Sequence, residues 1–98
     1  MTELDKKIVE WGRFKGINNP DKQTVKLMEE VGELAHEICR SKYDSDECKD
    51  AFGDIQVVLL ILADIIGINL EECKQLAYDT IANRKGKSVD GCFIKENE

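Results

Sequence analysis

The chain has 98 residues, 35% of them charged, and a formal net charge of −6. This length predicts a single domain over residues 1–98, with a core over about 8–87 and a tail over 88–98. An acidic surface argues against a nucleic-acid polymer or a membrane as partner, because both would repel it. The N-terminus lacks an apolar signal core, and the longest nearly apolar run, residues 55–63, is too short to span a bilayer. We therefore expect a soluble, cytoplasmic protein.

The first two predicted helices are separated by a short breaking segment. An amphipathic pattern runs from Glu3 to about Lys15, and residues 16–20 interrupt it. Asn19 has the chemistry of an N-cap, and Pro20 suits the first helical position because its missing N–H is not needed there. The second helix is then predicted to reach about Arg40.

The third predicted helix is apolar around nearly its whole circumference. Ser45 or Asp46 caps it, and it runs to Ile66, where Gly67 ends it. A helix that is apolar on all sides must be buried on all sides, and 98 residues can hardly wrap it completely. The simplest resolution is that this helix packs against another subunit, which predicts a dimer or a larger oligomer.

Asn69 caps the fourth predicted helix, which ends near Arg84 with Gly86 as its C′ residue. Beyond residue 88, an Asp90-Gly91 pair precedes a short apolar run, and this pattern indicates a hairpin or an extended segment. Four helices with short connections predict an all-α, four-helix bundle-like subunit with a short C-terminal extended tail or hairpin. The apolar third helix would form the oligomer contact.

Helical spacing places two acids of the second helix beside its apolar face. With Leu27 set at zero and about 100° per residue, three further apolar side chains fall within roughly 40° and define a core stripe, namely Val31, Leu34 and Ile38. Glu30 and Glu33 fall to one side of this stripe, at about 60° and about 120°. They therefore form an i,i+3 pair beside the core.

The third helix indicates a buried acid more clearly than the second helix does. Asp54 lies within about 40° of the apolar face formed by Val58, Ile61 and Ile65, and Asp50 lies one turn earlier on the same face. A lone buried carboxylate is unfavourable by several kcal/mol unless it is paired or binds a metal. Two interior glycines, Gly32 and Gly53, suggest a close approach of helices or of a ligand.

The short connection over residues 41–46 predicts that the second and third helices are antiparallel neighbours, and Glu33 and Asp54 should then lie at similar heights along the two helices. Several carboxylates at one level would repel each other, and Mg²⁺ accepts carboxylate, phosphate and water oxygens. The sequence therefore predicts a magnesium site. The alternative is that Asp54 is a core acid paired with Lys22 or Lys26.

Two acidic motifs identify a family resemblance. Residues 29–34, Glu-Glu-Val-Gly-Glu-Leu, resemble the E-E-x-x-E motif of the MazG-like, all-α nucleoside triphosphate pyrophosphohydrolases, and residues 50–54, Asp-Ala-Phe-Gly-Asp, resemble that family's second acidic motif. The resemblance covers roughly residues 8–87. It implies a homodimer or homotetramer that uses Mg²⁺, with Mn²⁺ as a substitute cation. The implied reaction is hydrolysis of NTP or dNTP to the monophosphate and pyrophosphate.

The resemblance also implies roles for single residues. Glu30 and Glu33 match the E-x-x-E metal ligands and are the candidate catalytic residues, and Asp54 matches the closing Asp. The family's second motif is E-x-x-D, which would place an acid where this chain has Ala51. Asp50 is the nearest acid and lies about 40° from Asp54, so it is the candidate fourth metal ligand.

The resemblance extends to candidate substrate-binding residues. The end of the fourth helix, with Asn83, Arg84 and Lys85, resembles the family's basic C-terminal motif, which contacts nucleotide or phosphates. Cations here would equally suit the negative end of the helix dipole. Trp11 and Phe14 resemble the aromatics of the base pocket, although ordinary core packing would explain them as well.

The sequence therefore predicts a nucleotide pyrophosphohydrolase in which Glu30 or Glu33 orients the attacking water. Two alternatives remain. One is a related helical enzyme acting on another diphosphate, such as phosphoribosyl-ATP. The other is a non-catalytic helical module whose acids are solvated or dock a basic partner.

Overall fold

A computed structural model describes residues 1–96, which form four α-helices and a C-terminal antiparallel hairpin. In chain order the elements are α1 (Glu3–Phe14), α2 (Pro20–Cys39), α3 (Asp46–Ile66), α4 (Leu70–Ala82), β1 (Gly86–Val89) and β2 (Cys92–Lys95). The predicted all-α class with a short C-terminal hairpin is confirmed.

The helix starts follow the predicted caps. Asn19, Ser45 and Asn69 each accept a hydrogen bond from the backbone N–H three residues later, at 3.0, 3.1 and 3.2 Å. Of the two alternatives for α3, Ser45 is therefore the cap. At the other end of α3, Gly67 adopts a left-handed conformation with φ 74°, which glycine reaches without steric penalty.

The end of α4 differs from the prediction. The helix stops at Ala82, and Gly86 begins β1 instead of forming a C′ cap. A Cβ atom at Gly86 would collide with the carbonyl oxygen of Ile94 and the ring of Phe93. Glycine is therefore required here for strand packing, which the helix-ending interpretation did not anticipate.

The hairpin closes through a two-residue turn. Asp90 and Gly91 both have positive φ, at 52° and 76°, as a type I′ turn requires. The register pairs Val89 with Cys92 and Gly86 with Lys95. The Asp-Gly pair thus forms the turn, and of the two predicted alternatives the hairpin is the one found.

The core is centred on α3, which packs mainly against α2 and also against α1. Its buried apolar residues are Cys48, Ala51, Val58, Ile61 and Ala63, joined by Val9 of α1. Gly12 lets α1 approach closely, because a Cβ atom there would lie 3.1 Å from the Ile61 side chain. Gly32 and Gly53 have nothing within 4 Å of such an atom, so no helix of the same chain approaches closely at these two positions, and the approach of a ligand there stays a prediction.

The fourth helix stands apart from this core. It leaves α3 at a bend of 104°, and none of its residues is buried. Within residues 1–96 it packs extensively against no other element. Leu76, Tyr78 and Ile81 are therefore exposed.

The apolar faces of α2 and α3 are only partly covered. In the predicted stripe of α2, Val31 and Ile38 are exposed, and on α3 Leu59 and Ile66 are exposed. One chain thus does not cover α3 completely, as its length indicated, and the packing of α3 against another subunit stays a prediction. By length and apolarity no individual helix in the described range would span a bilayer, and only α3 and α4 together pass that test, as a sharply bent pair.

Candidate active site

Three carboxylates converge between α2 and α3. Glu30 and Glu33 lie on the same side of α2 because they are three residues apart, and Asp54 faces them from α3. One oxygen from each lies within 4.8 Å of the others. Such spacing lets one hard divalent cation take an oxygen from all three side chains.

Glu30 is the most deeply buried of the three. It is 6% exposed, and its Oε1 lies 3.3 Å from Lys26 Nζ. Its Oε2 is buried and has no hydrogen-bond partner. A buried carboxylate oxygen without a partner is strongly unfavourable, so the donor set fits a cation that binds this oxygen.

Burial and mutual repulsion among the acids shift the pKa values of two of them. Burial raises the pKa of Asp54, and the neighbouring Asp50 and Glu30 raise it further. The negative charge of Glu30 is the main cause of a raised pKa at Glu33, and Lys26 opposes this shift only in part. A bound cation would reverse both effects by favouring the deprotonated carboxylates.

The fourth predicted ligand, Asp50, lies beside Asp54 and acts on its pKa, but it is outside the group of three. It lines a shallow groove of about 560 Å³ with Glu33 and Asp54. The sequence singled out Asp54 as the acid held away from water. Asp54 is instead half-buried, and Glu30 is the buried one.

The alternative pairing of Asp54 with a lysine is not found among residues 1–96. Lys26 contacts Glu30 at 3.3 Å and Glu29 at 3.8 Å, both on its own helix. Its ammonium therefore neutralises one acid of the cluster and leaves the other two without a cationic partner in the described part of the chain.

A second groove, of about 750 Å³, adjoins the cluster and shares Glu30 and Asp54 with it. Trp11 lines this groove and is 50% exposed, which disfavours the core-packing interpretation of this side chain. Lys22 and Lys26 also line the groove and place positive charge next to the acids. The arrangement suits an anionic ligand with a planar group.

The three candidates at the end of α4 lie elsewhere. Asn83, Arg84 and Lys85 are exposed, and none of them lines either groove beside the acids. Asn83 donates from Nδ2 to the carbonyl oxygen of Asp79 at 3.2 Å. Within one chain, the structure does not bring this basic segment to the cluster.

Gln23 is a residue of the groove that the sequence analysis missed. It is 7% exposed, and its Nε2 donates to the carbonyl oxygen of Val58 at 3.2 Å. Its position offered one signal, because it lies four residues before Leu27 and seven before Glu30, on the face that packs against α3. A glutamine on that face requires a polar partner.

The all-α fold and the acidic cluster together indicate a helical protein with a site that can bind a divalent cation. Residues 19–88 match the sequence model of the MazG nucleotide pyrophosphohydrolase domain, and the chain belongs to this family. The family predicted from the two acidic motifs is therefore confirmed, and its members are nucleotide pyrophosphohydrolases.

Two similar proteins come from bacteriophages. The chain is 39% identical over 66 residues to an uncharacterized 18.2 kDa protein in the rep-hol intergenic region of Haemophilus phage HP1 (strain HP1c1). This match covers 64% of the chain, which spans about two fifths (39%) of the length of that protein.

The fold also matches that of the Cyanophage S-2L MazG-like pyrophosphohydrolase, with a TM-score of 0.71 and 24% identity. The match covers 97% of this chain and 95% of the phage protein, whose structure holds dGDP and three catalytic Mn²⁺ ions per active site. At this identity the likeness establishes the shared fold.

Proposed function

We propose that this chain is a Mg²⁺-dependent pyrophosphohydrolase that converts NTP or dNTP and water to the monophosphate and pyrophosphate. The observation that carries the proposal is the buried, unpartnered Oε2 of Glu30 beside two further carboxylates. Membership of the MazG family supports the reaction class. The all-oxygen donor set is compatible with Mg²⁺, and Mn²⁺ would suit the same ligands.

Glu30, Glu33 and Asp54 would hold the cation, and Asp50 would supply the fourth carboxylate from its place beside Asp54. When bound, the cation neutralises charge on the phosphate oxygens and polarises the phosphorus that is attacked. Ala51 cannot serve as a ligand. The aspartate one residue earlier reaches less far than the glutamate of the family motif.

Glu33 is the carboxylate best placed to orient water, because Glu30 is buried and already binds Lys26. In the proposed step a water oxygen forms a bond to the α-phosphorus and its proton passes to Glu33. The bond between the α-phosphorus and the bridging oxygen breaks, and pyrophosphate leaves with that electron pair. Lys26 adds positive charge at the edge of the site.

Substrate binding would use the groove next to the acids. Trp11 offers an exposed aromatic face for the base, and Lys22 and Lys26 place positive charge along the groove for an anionic ligand. Asn83, Arg84 and Lys85 would contact the phosphates of a nucleotide held by another subunit, since they are remote from both grooves of their own chain.

A homodimer or homotetramer is part of the same proposal. The exposed apolar side chains of α2 and α3 and the uncovered α4 support it, because a soluble domain rarely leaves such faces open. Sedimentation equilibrium should give a mass of two or four chains. A monomer at all concentrations would refute this part of the proposal.

The reaction is tested by incubating the protein with a panel of nucleoside triphosphates over a Mg²⁺ series and identifying the products. The panel should include phosphoribosyl-ATP, so that the related activity would be recognised. We expect equimolar monophosphate and pyrophosphate from at least one nucleotide, and no product with EDTA. Absence of cleavage at every Mg²⁺ concentration would leave the non-catalytic module as the better description.

A further inference from the structure

Gln23 and Glu30 are the two buried polar side chains among residues 1–96. Gln23 is anchored by its amino group, which donates to the backbone carbonyl of Val58 at 3.2 Å. This hydrogen bond sets the orientation of the amide, with the nitrogen towards α3. A buried side chain held in one orientation is well suited to selective recognition.

The carbonyl oxygen of Gln23 is left for a ligand. Within the described range, no protein group donates a hydrogen bond to it. Glu30 Oε2 is the one side-chain polar atom there that is both sealed from solvent and unpartnered, so the Gln23 oxygen is not completely covered, although Gln23 as a whole is 7% exposed. Since Gln23 lines the groove beside the acids, a bound molecule in that groove can donate to this oxygen.

The position of Gln23 on α2 matches one part of a nucleotide. It lies seven residues before Glu30, which is about two helical turns or roughly 10 Å along the axis, with Lys26 between them. A nucleotide whose α-phosphate lies at the acids would place its sugar near Lys26 and its base near Gln23. Trp11, in the same groove, offers an aromatic face on which a base can stack.

We propose that Gln23 determines base specificity by accepting, through its carbonyl oxygen, a hydrogen bond from an N–H group of the nucleobase. This inference rests on the proposed function, because it takes the acids as the phosphate end of the site. A pocket that hydrogen-bonds a substrate N–H rejects analogues that lack it, since the buried acceptor is then unpaired. Loss of the contact should weaken binding about 10-fold to 100-fold.

The test uses Trp11, the only tryptophan of the chain, as a fluorescent reporter that works without catalysis. Each of the common nucleoside monophosphates and ribose 5-phosphate is titrated, with Mg²⁺, into the wild type and into Gln23→Leu, which removes the acceptor at similar size. Gln75→Leu makes the same change at an exposed site on α4 and is the matched control.

We expect Gln23→Leu to weaken the preferred monophosphate about 10-fold to 100-fold, to reduce the differences between bases, and to leave ribose 5-phosphate unchanged. Gln75→Leu should behave as the wild type.

A probe on the wild-type protein keeps the test decisive if the variants fail to fold. The preferred monophosphate is compared with its analogue methylated at the base N–H, which should bind about 10-fold to 100-fold more weakly. Equal binding of the two, equal weakening of ribose 5-phosphate in Gln23→Leu, or no base-dependent fluorescence change would overturn the inference. Wild-type turnover tests the proposed function separately, because base-selective binding without cleavage would refute the reaction and keep the role of Gln23.

Discussion

Replacing Glu30 by Gln should stabilise the metal-free protein. Glu30 is 6% exposed, and its Oε2 has no partner although two carboxylates lie within 4.8 Å. Gln keeps the shape of the side chain and a carbonyl oxygen for Lys26. It also replaces the unpartnered oxygen by an amide NH₂ group, which can donate a hydrogen bond to a nearby carboxylate. Relief of an unsatisfied buried group is worth about 1–2 kcal/mol, which raises the Tm of a domain this size by roughly 5–10 °C.

Mg²⁺ should reverse this order. A cation present at about 100 times its Kd stabilises the wild type by about 2.7 kcal/mol. Glu30→Gln weakens the site by removing one charged ligand, so most of that gain is lost and hydrolysis falls by more than about 100-fold. The variant should therefore be the more stable protein in EDTA and the less stable one at saturating Mg²⁺.

Thermal unfolding followed by far-ultraviolet circular dichroism measures both effects at one fixed protein concentration. Glu29→Gln is the matched control, because it makes the same change at the adjacent, exposed position. It should alter the Mg²⁺-dependent shift of Tm very little. If Glu30→Gln instead lowers the Tm in EDTA and Mg²⁺ raises both proteins equally, Glu30 is a structural acid and the metal assignment fails.

Three further outcomes are expected. Asp54→Asn should reduce hydrolysis more than about 100-fold without lowering the Tm in EDTA, whereas a purely structural acid would lose stability. The folded pKa values of Asp54 and Glu33 are raised, so between the ordinary and the raised pKa values the metal-free fold binds more protons than the unfolded chain. The stability of the metal-free fold should therefore fall as the pH rises through this window, while stabilisation by Mg²⁺ grows. Urea unfolding at several pH values, with and without Mg²⁺, measures both trends, and the opposite slopes would contradict this prediction. Gly53→Ala should raise the free energy of unfolding by about 1 kcal/mol, because no atom lies within 4 Å of the added methyl group. Gly12→Ala should lower it by about 1–2 kcal/mol, because the Ile61 side chain lies 3.1 Å from the added methyl group. Urea unfolding measures both changes, and a stabilising Gly12→Ala would refute the close packing of Gly12 against Ile61.

The sequence correctly predicted helix boundaries that depend only on neighbouring residues. Asn19 and Ser45 cap helices through side-chain oxygens that reach only three residues along the chain. Gly67 ends α3 because of its own backbone freedom. Such signals are complete within a few residues, so they fix element boundaries without knowledge of the tertiary fold.

The sequence did not show which acid of the cluster is the most deeply buried. Helical angles put Glu30 and Asp54 near apolar faces of their helices, and the structure brings them together. Which of them is buried depends on how α1 and α2 cover α3, and periodicity in a single helix does not contain that information. The pairing of Lys26 with Glu30 follows an ordinary four-residue spacing, but its competition with Asp54 could be decided only in three dimensions.

The sequence did not predict the direction of α4 either. Asn69 and the residues after Ala82 define its length, whereas the bend of 104° places its exposed face and Arg84 away from the core of the same chain. Gly86 shows the same limit, because its need for glycine comes from Phe93 and Ile94 across the hairpin. Long-range packing decides both features.

The central claim is that Glu30, Glu33 and Asp54 jointly bind a divalent cation. A crystal structure of the protein grown with Mn²⁺, with anomalous scattering recorded for the ion, tests it most directly. We expect an anomalous peak about 2.0–2.3 Å from one oxygen of each carboxylate, including Glu30 Oε2. Side chains turned outward with no peak between them, at saturating Mn²⁺, would contradict the account.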